Sequence, residues 1–177
     1  VYALGKNDAE AAIGRLRTAL EIDPKFSLAR HHLGEAYQTL GNHEEAIHNF
    51  RAALALNPDL PETHTQLGVS YHMLKNLDEA IANYERAAEL NPRSSETQNN
   101  LGIAHRTKGN PERAREHYLR AIELNSRNAS AHNNLAGLLQ RAGDLPGAIE
   151  AYRRAVTLRE NYTEAHFNLA GALRQSG

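Results

Sequence analysis

The stretch Leu33–Pro58 reads LGEAYQTLGNHEEAIHNFRAALALNP, and Leu67–Pro92 reads LGVSYHMLKNLDEAIANYERAAELNP. Leu33 aligns with Leu67, Gly34 with Gly68, Tyr37 with Tyr71, Ala46 with Ala80, Ala53 with Ala87 and Pro58 with Pro92, each pair 34 residues apart. The columns continue outward. Leu101, Leu135 and Leu169 extend the leucine, and Gly102, Ala136 and Ala170 extend the small residue beside it. Two alanine columns run unbroken, Ala12, Ala46, Ala80, Ala114 and Ala148, then Ala19, Ala53, Ala87, Ala121 and Ala155. Leu16, Phe50, Tyr84, Tyr118 and Tyr152 keep one large apolar site between them, and Pro24 precedes the two prolines. Self-similarity at one period along the chain predicts a repeat array, not a domain around one central core.

Each unit divides into two helical segments. In the first, positions four, seven, eight and eleven share a face at about 100° per residue, and Gly or Ala at position eight lets a partner helix approach. In the second, the aromatic between two alanines makes a small–large–small stripe at helical spacing. Asp8, Asn42, Asn76, Asn110 and Asp144 stand between segments as N-cap residues, with Pro111 just inside a helix start. Gly41, Gly109 and Gly143 precede three of these caps and suit a left-handed turn. No segment alternates with period two, so no sheet is expected.

The register L-G-x-x-Y, A-x-x-x-F/Y-x-x-A, P resembles the tetratricopeptide repeat family, over essentially the entire chain. The resemblance implies an all-α fold, a right-handed α-solenoid (superhelix) of helix-turn-helix repeats. The expected division is one array, 1–177, with full repeats at 27–60, 61–94, 95–128 and 129–162. Residues 1–26 are expected to end an earlier repeat, and 163–177 to be the first helix of a further one. Arg30, His64, Gln98, His132 and His166 replace the family's early tryptophan, the histidines reading as filler of the buried seam. Ser126 and Glu160 replace the terminal proline.

Composition narrows the function. The 177 residues contain no cysteine, which excludes a disulfide framework, Cys-ligated zinc and thiol catalysis. Lys+Arg is 20 against Asp+Glu 21, a net charge of -1, so no long-range attraction draws in nucleic acid or an anionic membrane. No apolar run is long enough to span a bilayer and no secretory h-region opens the chain. A cytoplasmic protein without membrane insertion is therefore expected. Val1 opens the chain and Met73 is its only methionine, so a piece of a longer protein is expected.

The first segments are expected to line a concave wall. Opposite the buried stripe lie positions two, six, nine and thirteen. They include Glu62 and Glu96, then His32, Gln66, Asn100, Asn134 and Asn168, then Glu35 and Val69, and finally Met73 and Arg141. Asn99, Asn133 and Arg106 flank them at positions five and twelve. Asn100, Asn134 and Asn168 recur every 34 residues. A carboxamide offers donor and acceptor together, and so pairs with any peptide backbone. The column is similar to the asparagine ladder in the repeat region of O-GlcNAc transferases, which holds an extended polypeptide. The same amides also read as satisfying polar groups at a helix–helix contact. Positions two, five and six hold no Lys or Arg in any full repeat, so the family's clamp for C-terminal carboxylates is not expected.

No catalytic constellation, cofactor or metal site emerges. His43 and His48 are five residues apart, which puts their rings on different helix faces. His31, His32, His64 and His72 would give at most adventitious metal binding. The expected function is a non-catalytic protein–protein interaction scaffold taking an extended peptide or partner segment. One alternative is the recognition arm of a larger enzyme resembling an O-GlcNAc transferase. The other is a self-assembling module, and end-to-end self-association through exposed terminal helices is also expected.

Overall fold

A computed structural model describes residues 6–177, so the first five residues of the expected partial repeat 1–26 lie outside the described residues. Ten helices and no strand occur among the described residues. They are α1 (Lys6–Ile22), α2 (Ser27–Thr39), α3 (His43–Leu56), α4 (Pro61–Met73), α5 (Leu77–Leu90), α6 (Ser95–Thr107), α7 (Pro111–Leu124), α8 (Ala129–Arg141), α9 (Leu145–Leu158) and α10 (Thr163–Gln175). The chain forms two compact units, one ending at Pro92 and the other running Arg93–Gly177. In the first, α2 pairs with α3 and α4 with α5, while α1 packs on α2 and α3 on α4. In the second, α6 pairs with α7 and α8 with α9, while α7 packs on α8 and α9 on α10. Both units have the all-α helical-repeat architecture.

The hairpin turns share one geometry. The amides of Asn42, Asn76, Asn110 and Asp144 each donate to the carbonyl five residues back, on Tyr37, Tyr71, His105 and Leu139, at 2.9 Å. That closure needs a left-handed residue just before it. Gly41, Gly109 and Gly143 supply it with φ of 79°, 88° and 85°. In the turn between α4 and α5 the residue is Lys75, with φ of 65°, a conformation that disfavours any Cβ.

The expected caps are corrected in part. Asn42, Asn76, Asn110 and Asp144 do stand at helix N-caps, but only Asp144 accepts a capping hydrogen bond, from Gly147 N. The three asparagines already serve the turn through their backbone amides. Asp8 lies inside the first turn of α1. Two side-chain caps arise where none was expected, Ser94 on α6 and Asn128 on α8.

Packing follows the sequence columns. Both alanine columns are fully buried from Ala46 to Ala155, whereas Ala12 and Ala19 in α1 are half-buried. In the first unit Phe50 fills a cluster with Leu33, Tyr37, Ala46 and Leu67. A Cβ added at Gly34 would stand 2.5 Å from the Phe50 ring, so the ring rests directly on the backbone of α2. Gly68 and Tyr84 repeat the lock at 2.6 Å. In the second unit Tyr118 packs with Ala114, Leu135 and Leu138, and Tyr152 with Ala136, Ala148 and Ala172. Burying one such side chain is worth about 1.5–3 kcal/mol.

The column that replaces the tryptophan does not fill the seam. His64, His132 and His166 are half-buried or exposed. Their Nε2–H groups donate to the carbonyls of Pro58, Ser126 and Glu160, each six residues back, at 3.1, 3.1 and 2.8 Å. Arg30 reaches the Pro24 carbonyl in the same way at 3.4 Å. Each of these histidine rings clips the loop that precedes its helix.

Candidate functional site

The first helices of the hairpins carry the residues assigned to the wall. His32, Glu62, Met73, Glu96 and Arg141 are exposed, and Gln66, Asn100, Arg106 and Asn168 are half-buried. Asn99, Asn133 and Asn134 differ from expectation, being buried at 7, 3 and 8 % exposure. Asn99 and Asn133 at position five face the next first helix, and Asn134 at position six faces the preceding one.

A polar seam results within each unit. In the second, Asn134 Nδ2 donates to Asn99 Oδ1 at 3.0 Å, and Asn168 Nδ2 donates to Asn133 Oδ1 at 3.1 Å. Asn133 Nδ2 in turn donates to Glu164 Oε1 at 3.2 Å, and Gln140 Nε2 to Gln175 Oε1 at 2.7 Å. In the first unit, Gln38 Nε2 donates to the Gln66 carbonyl and to Ser70 Oγ, both at 2.8 Å. Buried amides must find partners, and here they find one another. The signal was present as pairs 35 residues apart, one more than the repeat period.

In each unit a cavity is lined by residues assigned to the wall. In the second unit, Arg106, Gln140, Arg141, Tyr152, Glu164 and Asn168 line a space of about 500 Å³. Tyr152 is a core aromatic whose presence there the column pattern did not reveal. Its hydroxyl reaches the cavity beside Gly137, where an added Cβ would lie in ordinary contact, 3.6 Å from that oxygen. Tyr152 Oη donates to Gln140 Oε1 at 3.0 Å. Burial raises the Tyr152 pKa, and Glu164 adds to that, while Arg141 and Arg106 oppose it. Two guanidinium groups and one carboxylate therefore act on the same space. In the first unit, Glu35, Gln38, Val69 and Met73 line a more open cavity of about 690 Å³.

Beside that second cavity, three side chains of α2 converge. Glu35 Oε1 lies 3.4 Å from His31 Nε2, and Glu35 Oε2 lies 2.8 Å from His32 Nδ1. His31 is buried, and its Nδ1 shares a 2.9 Å hydrogen bond with Thr63 Oγ1 of α4. The His31 hydrogen bond is the main cause that lowers the Glu35 pKa to about 2, with His32 adding to it against the effect of burial. The histidine grouping considered from sequence is thus corrected. His64 contacts Asn83 and the Pro58 carbonyl, while Glu35 joins His31 and His32.

Tetratricopeptide repeat models match residues 27–93, 59–127 and 99–163. No curated protein matches the chain by sequence. Solved structures similar in fold include MamA, at 23 % identity and a TM-score of 0.79, over 88 % of this chain and 91 % of that one. PilF of Pseudomonas aeruginosa aligns at 24 % identity and a TM-score of 0.79, over 96 % and 83 %. YrrB, described as a TPR protein with an unusual peptide-binding site, aligns at 22 % identity and a TM-score of 0.73, over 91 % and 83 %. No described helix is long and apolar enough to cross a membrane.

Proposed function

The chain belongs to the tetratricopeptide repeat family, and from that premise we propose that it is a non-catalytic scaffold binding an extended segment of a partner protein on the face of its first helices. The observation that carries the reading is the 500 Å³ cavity, where Arg106, Arg141 and Asn168 meet although they come from three different helices. The side-chain N–H groups there suit backbone carbonyls and acidic side chains of a bound strand. YrrB, similar in fold, is described as having a peptide-binding site, which supports the class of ligand.

The asparagine column then has a divided role. Asn134 clasps neighbouring helices, whereas Asn168 also borders the cavity. Selection of twelve-residue peptides from a random library on this chain tests the reading. Binding of the enriched peptides should fall about tenfold or more in the double variant Arg106→Ala/Arg141→Ala, since hydrogen bonds to charged groups contribute about 1.5–3 kcal/mol each. Circular dichroism should not change. Enriched peptides that bind the double variant equally well would place the ligand elsewhere.

A further inference from the structure

We propose that His31, His32 and Glu35 form a three-ligand site on α2 for a borderline divalent metal ion, Zn²⁺ before Ca²⁺ or Mg²⁺. The ligand atoms all lie within 4.8 Å of one another. Neighbouring ligands of tetrahedral zinc, with bonds of about 2.1 Å, stand about 3.4 Å apart. Of the two histidine–carboxylate separations, one, 3.4 Å, matches that value and the other, 2.8 Å, is shorter. His32 and Glu35, both half-exposed, are free to rotate to admit an ion.

His31 is fixed in advance. Its ring packs against Phe50, with centroids 5.7 Å apart, and its Nδ1 is engaged with Thr63 Oγ1. In the metal-free protein Nε2–H faces the Glu35 carboxylate; on metal binding that proton would leave, the Nδ1 proton would be donated to Thr63, and the Nε2 lone pair would be free for the ion. An outer hydrogen bond that sets tautomer and orientation is characteristic of metal-ligating histidines. Two imidazoles and one carboxylate favour zinc, copper or nickel over the oxygen-seeking ions. All three ligands lie within five residues of one helix, so folding of α2 builds the site. The fourth position is left to water.

The bland reading, a carboxylate merely hydrogen-bonded by two histidines, predicts no stoichiometric metal uptake. Titration calorimetry with zinc chloride in a non-chelating buffer separates the two. The proposal expects one Zn²⁺ per chain. Affinity should fall by about tenfold or more in His32→Ala and in Glu35→Gln, and by about 10- to 100-fold on loss of the outer bond in Thr63→Val. His166→Ala, in the other unit, should bind as the parent does. Cobalt(II) should give a tetrahedral visible absorption spectrum in the parent and lose it in His32→Ala. His32 and Glu35 are partly exposed, so both of those variants should keep the parent circular dichroism spectrum. Absence of uptake, or several weak sites unchanged in His32→Ala and Glu35→Gln, would overturn the site.

Discussion

Tyr118 and Tyr152 occupy one column and differ at a single oxygen. Tyr152 Oη has Gln140 as partner at 3.0 Å. Tyr118 is fully buried, and its hydroxyl has no hydrogen-bond partner among the described residues. Burial pushes its pKa up to about 12. Twelve residues before Tyr152 stands Gln140, whose Oε1 accepts from its hydroxyl; twelve before Tyr118 stands Arg106, which makes no hydrogen bond to the Tyr118 hydroxyl. The column itself shows that the hydroxyl is dispensable, because Phe50 fills the same place with no exposure. An unsatisfied buried polar group costs about 1–3 kcal/mol. Tyr118→Phe is therefore expected to stabilise the chain by roughly 1 kcal/mol, whereas Tyr152→Phe should destabilise it by about 0.5–1.5 kcal/mol. Urea midpoints at constant slope measure both, and a lowered midpoint for Tyr118→Phe would show that its hydroxyl is bonded after all. The sequence made the aromatic position legible because one volume recurs. It did not make the hydroxyl's partner legible, because that partner lies on another helix and changes from repeat to repeat.

Helix boundaries were readable for a different reason. Each hairpin repeats one turn, and a turn that needs a left-handed residue marks itself with glycine in three of its four occurrences. Side-chain capping was less readable, because Asn and Asp at the same position use different groups. Asn42 and Asn76 contribute backbone amides to the turn, while Asp144 also accepts from Gly147 N at 3.0 Å. Asp144→Ala should therefore cost about 1 kcal/mol, and Asn42→Ala only a few tenths, since no side-chain cap is lost there. Chemical denaturation of the two variants in parallel checks the difference, and equal losses would mean that the repeat position matters and the cap does not. The same limit explains the histidine clips. The histidines read as filler of the buried seam instead reach the loop immediately before their helix, six residues back.

At the scale of the whole molecule, a repeat array lacks a common core, so stability is close to a sum of each repeat and its contacts with neighbours. That principle made the fold legible from 34-residue columns alone. The wall was only half legible, because a helical wheel gives a direction from one axis and says nothing about where the next helix stands. Positions five and six pointed outward on the wheel, yet Asn99, Asn133 and Asn134 face a neighbour and are buried. The same additivity yields a quantitative expectation. Leu101 and Leu169 are the same column, but Leu101 is 1 % exposed while Leu169 in α10 is only partly buried. Truncating a fully enclosed leucine costs about 2–5 kcal/mol, the larger values arising where surrounding atoms cannot close the cavity. α10 packs on α9 and touches α8, and it leaves Phe167 79 % exposed, so a gap at Leu169 is open to relaxation and to water. Leu101→Ala should accordingly lower the urea midpoint well beyond Leu169→Ala. Hydrogen exchange should show faster opening across α6 and α7 in the first variant, and around α10 in the second. Equal midpoint shifts, or exchange that rises uniformly over all ten helices in both variants, would mean that the chain unfolds as one cooperative body and that nearest-neighbour additivity does not describe it.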